Sequence, residues 1–162
     1  MTASASPMSA RTPVSGWIEA SGGVHILPIR VYYEDTDALG IVYYVNYLKF
    51  AERARTEMLR LLGHDQHDLL ARRGIGFTVR RCEVDYYMPA RLDDALEVHT
   101  RLIELRGASM DLLQTIRREP DVLARLRFKI ACVDRTGRAQ RVPGEIRKLF
   151  EPLERRAKEG SK

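Results

Sequence analysis

Tyr33-Glu34-Asp35-Thr36-Asp37-Ala38-Leu39-Gly40-Ile41-Val42-Tyr43-Tyr44-Val45-Asn46-Tyr47 joins a cluster of carboxylates, a Thr and a Gly to the start of a long apolar periodicity. Clustered Asp, Thr and Gly are loop chemistry. Downstream, Ile41, Val45, Leu48, Ala51, Ala54, Met58 and Leu61 recur at spacings of three and four, which predicts a helix over 41–62. Lys49, Arg53, Glu57 and Arg60 fall on its other side, and Gly63 supplies a C-terminal stop. At 1.5 Å per residue such a helix is roughly 33 Å long, enough to span a small domain. Helix N-termini carry unpaired N–H groups and positive dipole, so carboxylates are at home there. On spacing alone, Asp35 or Asp37 is a helix cap.

On either side of this element the chain reads as strands. His25 to Tyr33 carries Ile26, Ile29, Val31 and Tyr33, with Pro28 marking an edge or a bend. A short helix is expected over 66–73, ended by Gly74. Phe77 and Val79 share one parity while Cys82, Val84 and Tyr86 share the other, which predicts a β-bulge near Arg80 and Arg81. Ala95 to Leu105 places Leu96, Val98, Thr100 and Leu102 on one face. Arg106-Gly107-Ala108 turns into a strand over 109–117. Val122 to Val133 alternates, with Ala124, Leu126, Phe128, Ile130 and Cys132 opposite Arg125, Arg127 and Lys129. Pro143 suits the first turn of a last helix, expected to run through Leu153. The order is a strand, one long helix, then four strands read as a meander: an α+β protein whose antiparallel sheet curls around a single central helix.

The chain has 162 residues, 44% hydrophobic, which fits one domain with a sizeable core. Residues 1–24 are rich in Ser, Ala, Gly and Pro and are read as a flexible leader in which Trp17 and Ile18 dock locally. The domain is expected over 25–154, with a charged tail over 155–162. Cys82 and Cys132 lie in apolar strands without a CxxC pattern, and are read as buried reduced thiols. No run approaches the roughly 20 apolar residues of a membrane helix, so the expected location is cytoplasmic. A formal net charge of +5 favours anionic partners, but no nucleic-acid motif or basic–aromatic interleaving accompanies it, and nucleic acid is not expected as a partner.

The pattern D-T-D-x-x-G-I-V-Y-Y-x-N-Y, with Glu52-Arg53-Ala54-Arg55-Thr56-Glu57-Met58-Leu59-Arg60 after it, resembles the 4-hydroxybenzoyl-CoA thioesterase family of hotdog proteins. The second run is most similar to the branch of acyl-CoA thioesterases associated with the Tol-Pal envelope system, as is the turn Arg106-Gly107-Ala108-Ser109-Met110. The likeness covers about residues 25 to 150. It implies a hotdog fold, hydrolysis of a small acyl-CoA, short-chain or aromatic, and Asp37 as the catalytic carboxylate. It also implies that amides between Gly40 and Tyr44, with Tyr44 foremost, polarise the thioester carbonyl. That fits elementary chemistry, since oxyanion charge develops in acyl transfer and a helix N-terminus supplies pre-oriented donors. Asp37 either attacks the carbonyl or activates a water. Tyr43, Tyr44 and Asn46 are second-tier substrate contacts, and Tyr47 is read as core or interface packing. Arg106 and Ser109 match the family's CoA-phosphate region, and Arg suits phosphate recognition. Leu39 stands where the family usually has a small residue, which narrows the pocket. Tyr44 stands where the Tol-Pal branch often has His, so aliphatic and aromatic acyl groups both remain open.

No cofactor is expected. His64 and His67 beside Asp65 and Asp68 are the one metal-like cluster, and without a third ligand they read as surface residues; His25 and His99 read as isolated structural residues. A homodimer or homotetramer is expected, because one hotdog subunit leaves an edge strand and a sheet face open; a Tol-Pal envelope link rests on resemblance alone. A non-catalytic acyl-binding or scaffold module is the main alternative and would not need Asp37. A hotdog dehydratase would need a His with a carboxylate partner, and none lies in this segment.

Overall fold

The computed structural model describes residues 13–159. Its strands are β1 (Trp17–Ile18), β2 (His25–Arg30), β3 (Ile75–Tyr86), β4 (Ala95–Leu105), β5 (Ser109–Arg118) and β6 (Asp121–Asp134). Its helices are α1 (Asn46–Leu61), α2 (Gln66–Asp68, continued by a wider turn at Leu69–Arg73) and α3 (Gly144–Glu159). The six strands form one open antiparallel sheet in the order β1-β2-β4-β5-β6-β3, so β1 and β3 are its edges. This is the α+β hotdog layout, with α1 lying across β2, β4 and β5.

Strand alternation decides what α1 covers. Leu96, Val98 and Leu102 of β4, Leu112 and Ile116 of β5, and Leu126 and Phe128 of β6 all point to one face and are buried. Against them α1 sets Phe50, Ala51, Ala54 and Met58; the two alanines are fully buried and bring the helix backbone close to the sheet. Each fully buried Leu of this core contributes about 1.5–3 kcal/mol relative to exposure. The bulge in β3 is present, as a register shift between Val79 and Arg81 against β6.

Several sequence expectations need correction. The meander fails at its first strand: β3 lies beside β6, not β4. The tight turns β4–β5 and β5–β6 force adjacency, whereas the connection over 87–94 is long enough to carry the chain past the end of the sheet to β2. Helix α1 begins at Asn46, not Ile41, because Ile41 and Val42 pair in extended conformation with Arg91 and Thr36. Its 16 residues span about 24 Å. The leader is shorter than expected: Trp17–Ile18 pairs with β2, and Ser15 donates to Glu57 at 2.6 Å. Residues 1–12 of that leader lie outside the described residues. At the other end α3 continues through Pro152 to Glu159, because the buried stripe Ile146, Phe150, Leu153 and Ala157 does not stop at 154. Of the expected tail, 160–162 lie outside the described residues. Cys132 is buried but Cys82 is exposed, since β3 is an edge strand whose middle no helix covers. Among the described residues no helix is long and apolar enough to cross a membrane.

Candidate active site

The carboxylate loop closes on itself before it reaches α1. Asp37 donates its amide to the Ile41 carbonyl at 2.9 Å, and Tyr43 donates to the Asp35 carbonyl at 2.8 Å. The loop is pinned to the chain before β4 by the Val42 amide, which donates to Ala90 O at 2.8 Å. At its tip Gly40 donates to the Asp37 carbonyl at 3.0 Å, with φ of 74°. A Cβ at Gly40 would meet nothing, so the need for glycine there is conformational.

Asp35 and Asp37 differ in surroundings. Asp35 is 2% exposed. One of its oxygens accepts from the Tyr32 amide at 2.8 Å and the other from Asn46 Nδ2 at 2.9 Å. It ties the loop to the first residue of α1. Asp37 is half-buried, and its Oδ1 accepts only from the Leu39 amide, at 2.8 Å, among the described residues. Neither carboxylate caps α1, whose cap residue Val45 makes no side-chain cap bond. Asp37 is thus the carboxylate of this segment with lone pairs to spare.

The amides expected to polarise a carbonyl divide in the same way. Those of Gly40, Val42 and Tyr43 are already committed within the loop. The Tyr44 amide, just before α1, donates to no acceptor among the described residues. The Tyr44 carbonyl accepts from Tyr86 Oη at 2.8 Å, which ties the start of α1 to the end of β3. Beside it opens a cavity of about 330 Å³ between the loop, Tyr47, Tyr86 and Met88. Tyr47 is 3% exposed, and its hydroxyl accepts from the Ala90 amide at 2.9 Å; burial pushes its pKa up. The packing role read for Tyr47 holds. Tyr43 and Tyr44 are exposed and meet edge to face at 4.8 Å, and the hydrogen bond with Tyr44 pushes the Tyr43 pKa up. Leu39 is 79% exposed and narrows nothing within this chain.

Three sequence-derived site residues are placed differently from expectation. Asn46 opens α1 instead of sitting within it, and its amide is spent on Asp35. Arg106 donates to Asp111 at 2.7 Å and to Glu104 at 2.5 Å, and the bond from Asp111 raises its pKa. Ser109 accepts the Arg106 amide through its carbonyl at 2.8 Å. Both sit at the far end of β4 from Ala95, which pairs with Arg30 on the Asp37 side. Ten residue steps along a strand are roughly 33 Å, so one chain does not bring Arg106 and Ser109 to Asp37. Asp65 caps α2 by accepting from the Asp68 amide at 2.8 Å, and does not assemble with His64 and His67. His99 is not isolated: its Nε2 lies 2.8 Å from Glu97, and with Glu119 they bring three metal-type ligand atoms within 4.8 Å of one another.

Sequence reasoning missed two features. The Asp35–Asn46 pair had a signal, a polar residue at the start of an apolar stripe. Gln114 had another, since it interrupts the inward parity of Met110, Leu112 and Ile116, and it is fully buried.

A family model described as the thioesterase-like superfamily matches residues 31–150. The acyl-CoA thioesterase YbgC of Haemophilus influenzae is 44% identical over 128 residues, which are 78% of this chain and 93% of that protein. The acyl-CoA thioester hydrolase YbgC of Escherichia coli is 49% identical over 108 residues, 66% of this chain and 80% of that one. Among solved structures, a probable thioesterase from Bartonella henselae superposes with a TM-score of 0.71 at 34% identity, covering 74% of this chain and 99% of the other.

Proposed function

The chain belongs to the thioesterase-like superfamily and is an acyl-CoA thioester hydrolase, and from that premise we propose that Asp37 is its catalytic carboxylate and that its substrates carry small acyl groups. The observation that carries the assignment is the contrast within one loop. Asp35 is buried and spent on structure, while Asp37 is half-buried with free lone pairs, a few residues from an uncommitted amide at the start of α1. The Tyr44 amide is the donor for the thioester oxygen, where negative charge develops as the carbonyl carbon becomes tetrahedral. Asp37 attacks that carbon, or takes a proton from the water that does. Collapse of the intermediate expels the CoA thiolate, which takes up a proton, and water completes the release of the free acid. Either route needs one carboxylate and one oxyanion donor, and both are present.

The open edge of β3 supports a symmetric oligomer, a dimer or a dimer of dimers. β3 is exposed on both faces through its middle, as a strand that pairs with a second copy would be. Two-fold pairing of β3 edges exchanges the ends of the strand, and so brings the loop of Asp37 in one copy near the other copy's Phe77–Val79. A link to the Tol-Pal envelope system is a further part of this reading, supported by likeness to that branch alone.

A thiol-release assay across acyl-CoAs of graded length and aromaticity tests the function. Turnover of a small acyl-CoA well above background is expected. Ligand binding with no turnover of any member would favour the non-catalytic module.

A further inference from the structure

A second cavity, of about 350 Å³, lies between the C-terminal half of α1 and the sheet. Met58, Leu59, Phe77, Met110 and Leu112 give it apolar walls, and one cation is set among them. Arg55 donates through Nη1 to Gln114 Oε1 at 2.9 Å, and its guanidinium carbon stands 4.2 Å from the centre of the Phe128 ring. Gln114 is fully buried and donates through Nε2 to the Ala51 carbonyl and to the Thr100 hydroxyl, each at 2.9 Å. With both amide hydrogens committed, its oxygen has to face Arg55. The ring face and the amide oxygen together fix the guanidinium at the cavity wall.

That cation lacks a counter-ion of its own. Among the described residues Gln114 is its one hydrogen-bond acceptor, and no carboxylate pairs with it; Glu52 acts on it only at longer range. A guanidinium has five N–H donors in a rigid fork, so most of its capacity faces the cavity. A partly desolvated charge without a partner is costly, and a carboxylate offered in the right plane relieves that cost through two parallel hydrogen bonds.

We propose that Arg55 reads the far end of the acyl group, so that the preferred substrates are acyl-CoAs whose chain ends in a carboxylate. The inference rests on the thioesterase reading above and on a second copy delivering its Asp37 loop to this cavity. In one chain the cavity meets β3 at Phe77–Val79, whereas the loop meets it at Tyr86, roughly 23 Å further along.

The test compares matched pairs, glutaryl-CoA with valeryl-CoA and adipoyl-CoA with hexanoyl-CoA, by kcat/KM in the unmodified protein, Arg55→Gln and Arg55→Lys. The unmodified protein is expected to favour the carboxylated member of each pair. Arg55→Gln should lower the carboxylated-to-plain ratio roughly 10- to 100-fold, the worth of a charge-assisted bond, chiefly through KM. Arg55→Lys should restore part of it. An unchanged ratio in a folded Arg55→Gln overturns the inference and leaves Arg55 a packing residue. Should that variant fail to fold, the unmodified protein decides: faster turnover of valeryl-CoA than of glutaryl-CoA overturns it. Turnover confined to uncharged acyl groups sinks this inference alone, while no turnover of any acyl-CoA sinks the thioesterase reading with it.

Discussion

Replacing Asp37 and Asp35 in turn by Asn separates chemistry from structure within one loop. Asp37 Oδ1 accepts a single bond, from the Leu39 amide, and a carboxamide oxygen replaces it. Stability should therefore move by no more than about 0.5 kcal/mol, or about 2 °C in Tm for a chain of this size. Turnover should fall by ~10²–10⁴, because an amide is neither nucleophile nor base. Asp35 behaves oppositely. Its two oxygens accept from Tyr32 N and Asn46 Nδ2, and both contacts lie in the buried base of the loop. A carboxamide accepts one of these and presents an NH₂ group to the other donor. One charge-assisted bond is lost and a donor is stranded, about 2–4 kcal/mol together. At about 2–4 °C per kcal/mol the melting point drops by roughly 4–16 °C. Asp35→Asn is thus no benign control, as the sequence alone suggested; it is a folding variant. The assays are thiol release at matched folded fraction and thermal unfolding by circular dichroism. Near-normal turnover in a folded Asp37→Asn, or an inactive Asp35→Asn that melts like the unmodified protein, would refute the assignment of roles.

Three further outcomes follow from particular contacts. His25 is fully buried, with Nε2 2.7 Å from the Ser15 carbonyl and Nδ1 without a partner, and burial lowers its pKa against the opposing pull of Glu57. Below the ordinary value of about 6.5 the unfolded chain binds a proton that the folded chain refuses, so stability is full above that pH and declines beneath it; the urea midpoint should fall from pH 7 to pH 5, and less steeply in His25→Gln. Cys82→Lys, at an exposed point in the middle of β3, should shift sedimentation from oligomer to monomer while changing monomer stability little, because a charge on an edge strand opposes pairing. Leu126→Ala, at a fully buried site between sheet and α1, should cost about 2–5 kcal/mol in urea unfolding, and a loss under 1 kcal/mol would count against the packing described.

Much of the fold and site was legible in the residues because it depends on short-range spacing. The inward faces of β4, β5 and β6 follow from a period of two, and the buried stripe of α1 from steps of three and four. Gly40 was legible as a turn because only backbone freedom is asked of it. The two carboxylates were both visible, but alternation could not say which would be spent, since the partners of Asp35 include Asn46, eleven positions away.

What the amino-acid order determined by itself, then, is the set of elements, their apolar faces and the membership of the Asp37 motif in a known pattern, all properties of neighbours along the chain. Tertiary structure alone decided that β3 leaves its successors to pair with β6, that α1 waits until Asn46, and that Arg106 is neutralised far from Asp37. It also joined Arg55 to Gln114 across 59 positions at the wall of a cavity. The reason is common to these cases. Which strand edge, carbonyl or carboxylate satisfies a given group is settled by competition among residues distant in sequence, and that competition is resolved only when the sheet closes over the helix.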